Sequence, residues 1–406
     1  MNNPPDAAAG SAVVRKKVVF LTFYSEAWDA LAEVYQLMSR DSRFEVQVVA
    51  IDRRLTGEVG FSGANKVSDF FDGLGVPHLV NANLADLKPD YIFVNYPWQR
   101  NYAPQYRPDE LARVGRIVYV PYYSLPMTKE PVDGVRPESG FVEHAPHLYS
   151  QRMHQLTSID TREFGSTKLD ALVGQVGEIS ASISAAKKVL GAGQVSVLRR
   201  ILWAPHHSYS PHWLNFGNFA RVHEEMLQWA AGHAEFEVVL RAHPFMFGTL
   251  VDRGVMTQAA LDDWLARWSA LANARVEVGE SAAASFAAAD YLVTDGISFL
   301  AEWPLAKGVP AIFMENPDHW PFTEIGSLAA AANIVVHEVG ELDGVLSGMP
   351  ERSAQIEALR VAAMPHAGKT AARIVEAVAA DTSDLIDPAT VTEVPWELQP
   401  GREPLD

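Results

Sequence analysis

Three short segments hold side chains that could bind and move a phosphate. In the first, Ile201–Ser210 (ILWAPHHSYS), an apolar run stops at Pro205 and delivers His206, His207 and Ser208, with His212 close behind. Six of the 13 histidines fall between His206 and His243, so the cluster is not a scatter of single rings. Alternation along an extended chain sends neighbours to opposite faces, so one of the pair is expected to line a cleft and the other to hold a loop. Zinc is a competing use of these rings, but the helical i, i+4 pair with a third ligand is not apparent, and no metal is expected. Hydrogen-bonded loop histidines are the plain alternative. In the second segment, Val238–Pro244 (VVLRAHP), Arg241 and His243 share one side at a strand tip, a pairing suited to a phosphate or a developing oxyanion. Its alternative is Arg241 paired with a carboxylate. In the third, Tyr291–Leu305 (YLVTDGISFLAEWPL), Asp295, Gly296 and Ser298 turn a strand into a helix whose free N–H groups and dipole favour a diphosphate. Glu302, one turn on, would accept ribose hydroxyls, whereas an ordinary N-cap by Asp295 or Ser298 needs no ligand.

Such residues work only if strands deliver them to one edge, and the chain has the pattern to do so. Lys16–Phe23, a helical stretch through Trp28–Met38 and Phe44–Ile51 read as a βαβ unit, continued by Tyr91–Tyr96 and Arg116–Tyr122. A turn near Ser166–Leu172 and a helical Glu178–Leu190 lead to Gly191–Gly193. The pattern then restarts with strands at Ile201–Ala204, Phe236–Leu240, Arg275–Val278, Tyr291–Thr294 and Pro310–Met314. The expected fold class is α/β, two Rossmann-like doubly wound domains facing a cleft, where ligands bind beyond the carboxyl ends of the strands. The expected partition is a disordered lead-in over 1–14, domains over 15–190 and 195–380, and an acidic tail over 381–406. A long final helix, about Ala354–Ala380, is expected to return across the boundary.

Composition narrows the chemistry further. The 406 residues are 48% hydrophobic and 20% charged, enough to bury two cores. No cysteine is present, which removes disulfides, thiolate metal sites and thiol nucleophiles. The net charge of −17 is the wrong sign for gripping a nucleic-acid backbone, so no nucleic-acid partner is expected. All of the excess lies in residues 201–406, with 11 basic and 28 acidic residues, against 22 of each in 1–200. No P-loop and no GxGxxG occurs, which disfavours an NTPase or a nicotinamide enzyme. With no apolar run of about 18 residues and no signal-like start, a cytoplasmic protein is expected, with peripheral attachment to a membrane and homo-oligomers left open.

Taken in order, WAPHHS (Trp203–Ser208), F-x-x-F (Phe216–Phe219), R-x-H-P (Arg241–Pro244), W-x3-W-x2-L-x-N (Trp264–Asn273), D-x-x-S-F-x-x-E (Asp295–Glu302) and KGVPAIF (Lys307–Phe313) resemble the CDP-glycerol glycerophosphotransferase family of teichoic-acid and capsule polymer transferases. G-S-x-K-L-D at Gly165–Asp170 is similar to that family's G-x-P-R-L-D. The likeness spans about Ser166 to Glu315, and over 1–150 it is one of pattern only. It implies a glycosyltransferase B fold, with the donor nucleotide in the second domain and a hydroxyl acceptor, polymer or small metabolite, reached from the first. It also implies transfer of an alditol phosphate from a CDP-activated donor with release of CMP, and no cofactor or metal. His243 then matches the HP histidine near the donor phosphates, Ser298 and Glu302 the S-x3-E of the nucleotide pocket, and Asp295 the acid opening that turn. His207, Ser208 and Gly296 complete the expected donor set, and His206, His243 and Arg241 the catalytic one.

The departures bear on mechanism. The family's W-H-G-T-like motif, whose His is taken as the base, is replaced by VPYYSL at Val120–Leu125. The base is therefore unassigned, with His206 as the best substitute and His144, His147 and His154 as others. Gly296 replaces a small polar residue, and Arg241 a usual lysine. A sugar transferase using a nucleotide-sugar donor, and a non-catalytic nucleotide-binding scaffold, are the alternatives.

Overall fold

The computed structural model describes residues 15–54, 59–96, 101–128, 148–150, 161–190, 198–210, 214–243, 245–278 and 281–382. The first lobe runs β1 (Lys16–Thr22), α1 (Asp29–Arg40), β2 (Phe44–Ala50), α2 (Ala64–Leu74), β3 (His78–Val80), α3 (Leu84–Leu87), β4 (Tyr91–Val94), α4 (Pro108–Val114), β5 (Arg116–Tyr119), β6 (Leu148–Ser150) and β7 (Thr161–Glu163). Helix α5 (Thr167–Leu190) leads to the second: β8 (Arg199–Ala204), α6 (Phe219–Gly232), β9 (Phe236–Leu240), α7 (Met246–Asp252), α8 (Gln258–Ser269), β10 (Ala274–Val276), α9 (Ala282–Ala288), β11 (Tyr291–Thr294), α10 (Phe299–Lys307), β12 (Ile312–Met314), α11 (Glu324–Ala331), β13 (Ile334–Val336), α12 (Leu342–Ser347), α13 (Ser353–Ala363) and α14 (Thr370–Ala380).

The first sheet is ordered β3-β2-β1-β4-β5-β6-β7, parallel through β5 and closed by two antiparallel pairings. The second, β10-β9-β8-β11-β12-β13, is parallel throughout. Both orders reverse direction beside their first strand, at β1/β4 and β8/β11, and those switch points open a crevice for ligands. The expected α/β class with two doubly wound sheets is the fold observed. Val18–Thr22 and Ile201–Ala204 are buried without alternation, as strands covered on both faces must be. Edge strand β3, with Leu79 and Val80 exposed, and the three-residue β13 carry too little apolar pattern to be read from sequence.

Packing exchanges two helices between the lobes. Leu172 and Val176 of α5 join the second core with Leu202 and Ala204, while Ala371, Ile374, Val375 and Val378 of α14 join the first with Phe20, Leu31 and Val34. The expected partition at 190–195 differs from the packed one by this exchange, because the apolar face of a helix and not its place in the chain decides where it docks. The single helix expected over Ala354–Ala380 is two, α13 and α14. Pro365 follows the first, disfavouring helical backbone at Met364, and Gly368 turns at a φ of +70°. Lys16 Nζ donates to the carbonyls of Val378 (2.7 Å) and Ala379 (2.9 Å), a cation at the C-terminus of α14. Asp381 is paired with Arg116 inside the first lobe; the rest of the acidic tail and the expected lead-in lie outside the described residues, apart from Thr382.

Two close approaches hold the exchanged chain. Gly165, at a φ of +107°, faces Thr370, whose Oγ1 would lie 2.6 Å from a β-carbon there. Thr370 N donates to Asp170 Oδ2 at 3.1 Å, and its hydroxyl donates to the Phe164 carbonyl at 3.2 Å. Between the lobes, Thr323 N donates to the Met127 carbonyl (3.0 Å) and its Oγ1 to that of Pro126 (2.7 Å), and a β-carbon on Gly326 would run into the Met127 carbonyl oxygen. No helix among the described residues is long and apolar enough to cross a membrane.

Candidate functional site

Strands β8, β9 and β11 end side by side, and their first loop residues build the site. Asp295, buried beyond β11, accepts the N–H of His206 at 2.5 Å on one oxygen and that of Asn218 on the other. Burial pushes its carboxyl up to about 7, against the pull of those two donors. Asp295 therefore fixes the loop after β8, with both of its oxygens engaged there. Gly296 N donates to Thr294 Oγ1 at 2.9 Å, which in turn donates to the Ala204 carbonyl at 2.7 Å, locking the two strand ends together.

The three histidines converge. Ring centroids are 4.6 Å apart for His206 and His207, 3.9 Å for His207 and His243, which stack, and 5.4 Å for His206 and His243. The expectation that His206 and His207 serve different surroundings is thus corrected. Strand alternation ends at Pro205, and the pull of Asp295 on His206 N turns the chain so that both rings reach His243.

Hydrogen bonds also decide where the ring protons sit. Ser208 N donates to His206 Nδ1 at 3.3 Å, which makes that nitrogen an acceptor, so the fully buried Ser208 Oγ, itself accepting the Phe216 N–H at 2.9 Å, donates to it at 2.8 Å. His243 Nδ1 accepts the Phe245 N–H at 3.2 Å. Both neutral rings therefore carry their proton on Nε2 and are donors. The ligand atoms of His206, His207 and His243 lie within 4.8 Å of one another, the one such trio among the described residues. An ion between them would need the His207–His243 stack to open and both Nδ1 contacts to be given up. Ser208, expected to touch the donor, instead positions His206.

Burial holds all three rings neutral. His206 lies well below its ordinary range, His207 falls to about 4 with Arg253 adding to the effect, and His243 falls to about 3 with His207 and Lys168 adding. The unfolded chain protonates these rings near 6.5 while the folded one refuses the protons, so stability rises with pH across the interval between. Melting temperature should accordingly fall from pH 6.5 to 4.5, and less steeply in His207→Gln/His243→Gln. An equal slope in both proteins would contradict this.

Arg241 lies in its expected place, but its Nη1 donates to Glu277 Oε1 (2.7 Å) and Ser285 Oγ (2.9 Å). This is the carboxylate pairing left open by the sequence. Ser298 precedes α10 without capping it, and the N–H groups of Ile297, Ser298 and Phe299 donate to nothing. A bare helix N-terminus beside the histidines has the donors and dipole that suit an anion. Glu302, 2% exposed, accepts a hydrogen bond from Ser124 of the first lobe and lies 3.6 Å from Lys168 Nζ, so it joins the lobes in this state.

Sequence reasoning gave no role to Lys168, Ser124 or Asp29. Lys168 stands inside the quoted G-S-x-K-L-D, so its signal was present; Ser124 and Asp29 have none. Thr167 Oγ1 donates to the Ala30 carbonyl at 2.7 Å and so docks the start of α5 on the start of α1. Lys168 is felt there by Asp29 and, across the cleft, by His243. Tyr24, Tyr96 and Tyr122, after β1, β4 and β5, wall the first-lobe side, and Tyr24 reaches Phe245 at 6.4 Å. His144, His147, His154 and His212 lie outside the described residues.

No protein-family model matches the chain, and no curated protein does. Among solved structures, UDP-GlcNAc 2-epimerase from Neisseria meningitidis bound to UDP-GlcNAc aligns with a TM-score of 0.54 and 12% identity, over 90% of this chain and 100% of that one. Another UDP-N-acetylglucosamine 2-epimerase aligns at 0.51 and 12%, over 92% and 99%. The wall teichoic acid polymerase TagF aligns at 0.48 and 14%, over 90% and 88%, which decides nothing between families. At these identities what is shared is the arrangement of the two lobes, and the chain has the glycosyltransferase B fold.

Proposed function

We propose that the protein transfers an alditol phosphate, glycerol phosphate in the simplest case, from a CDP-activated donor to an acceptor hydroxyl and releases CMP. The observation that carries this reading is the meeting of His206, His207 and His243 with the bare N-terminus of α10 at adjacent strand ends of one lobe. Neutral Nε2–H donors and helix N–H groups suit a diphosphate within a lobe whose overall charge would repel one. The acceptor oxygen attacks the β-phosphorus, the bond to the CMP oxygen breaks, and CMP leaves as an anion that needs no proton. The alditol and the cytidine rest on the sequence resemblance. Arg241, held by Glu277, supports the strand end; Lys168, whose charge acts on His243, is the cation assigned to the phosphates.

His243→Ala is expected to slow CMP release by about 10²–10³-fold, as loss of one donor to a developing oxyanion does. Turnover near that of the wild type would remove His243 from the mechanism. The similarity in fold to enzymes acting on UDP-GlcNAc favours a second reading, a nucleotide-sugar enzyme. Thermal shifts with CDP-glycerol and UDP-GlcNAc separate the two. A shift without turnover on either would leave a nucleotide-binding scaffold.

A further inference from the structure

We infer that Asp29 is the general base that takes the proton from the acceptor hydroxyl. The inference rests on the proposed transfer reaction and supplies the group its sequence left unassigned. Asp29 opens α1 at the carboxyl end of β1, the first-lobe strand at the switch point, and so lies on the acceptor side of the cleft.

Several other candidates among the described cleft residues are already engaged. Asp295 holds two backbone N–H groups, Glu302 holds Ser124 and Lys168, and Glu277 holds Arg241 and Ser285. His206 and His243 spend their Nδ1 lone pairs on loop donors and present protons, not lone pairs. Asp29 makes no hydrogen bond and no ion pair, and its side chain is open to solvent although both lobes rise around it. It does not cap α1, whose N-terminus has no side-chain cap. A carboxylate left unpartnered here has its oxygens available to a substrate.

The surroundings tune it for the task. Crowding by both lobes raises its pKa above the ordinary carboxylate value; Glu302 adds to the rise and Lys168 opposes it. These two are the charged groups that act on it, and Glu26 and Glu33 flank it along the chain at about one turn to either side. In the proposed step the acceptor O–H proton passes to an Asp29 oxygen as the new O–P bond forms, and the electron pair of the breaking P–O bond leaves with CMP. The carboxyl then returns its proton to solvent through the open side of the cleft.

The test uses the full chain, CDP-glycerol as donor and glycerol as hydroxyl acceptor, with CMP release as readout. Asp29→Asn should lower kcat by about 10²–10⁴-fold, the usual worth of a positioned base. The melting temperature and the Kd for CDP-glycerol should stay as in the wild type, since Asp29 bonds to nothing in the fold. The acid limb of the kcat/KM profile should vanish in Asp29→Asn, and Asp29→Glu should restore part of the rate. Asp29→Asn turning over within twofold of the wild type overturns the inference and leaves the transfer reaction standing. A wild-type protein that binds CDP-glycerol but releases no CMP overturns both.

Discussion

Trp203→Ala is expected to destabilise the second lobe by about 3–5 kcal/mol, the cost of emptying a large aromatic site in a packed core. Trp203 is 2% exposed and sits on β8, hydrogen-bonded on both sides by β9 and β11. Its ring stacks on Phe219 at 5.5 Å and meets Trp268 at 5.5 Å and Trp264 at 6.0 Å. Three rigid neighbours on helices α6 and α8 cannot collapse into the space it leaves. The loss should appear in urea as a lower midpoint for one of two transitions, because the first lobe has its own core. Trp203→Phe should recover more than half of it. A single unfolding transition shifted as a whole would show instead that the exchanged helices make the lobes unfold together.

Lys168→Met is expected to do damage of two kinds. It leaves the Glu302 carboxylate, 2% exposed, with the Ser124 hydroxyl as its remaining partner, and stripping one member from a buried pair costs about 3–5 kcal/mol in full burial. Lys168 keeps 27% of its side chain exposed and the pair is loose at 3.6 Å, so the lower end of that range is the expectation. Glu302→Gln in the same chain should return most of the stability, because the stranded charge is gone. Donor affinity should not return. A charged hydrogen bond to phosphate is worth about 1.5–3 kcal/mol, which is roughly a ten- to hundredfold weaker Kd for CDP-glycerol in both variants. If the double variant binds donor as the wild type does, Lys168 serves the lobe contact alone.

The strands that deliver the site were legible because parallel strands buried on both faces write themselves as unbroken apolar runs, as KKVVFLT and RRILWA do. The His206–His207–His243 neighbourhood was legible as three strand ends, but the direction of each ring was not. That depends on Asp295, which lies 89 positions from His206 and fixes its N–H. Arg241 illustrates the same limit. Its strand-tip position was readable, but its commitment to Glu277 follows from where β10 ends, beyond the reach of local pattern. Asp29 had no motif at all. Its standing comes from what surrounds it and from what the other carboxylates are already doing, neither of which is a property of neighbouring letters.

The exchange of α5 and α14 makes the junction between the lobes a two-stranded joint, since the polypeptide passes from one lobe to the other on the way out and again on the way back. The two passages touch where Gly165 and Asp170 meet Thr370. A joint made of two adjacent passages of chain resists twisting more than a single connection would. A protease cut in either passage would therefore leave the lobes joined by the other.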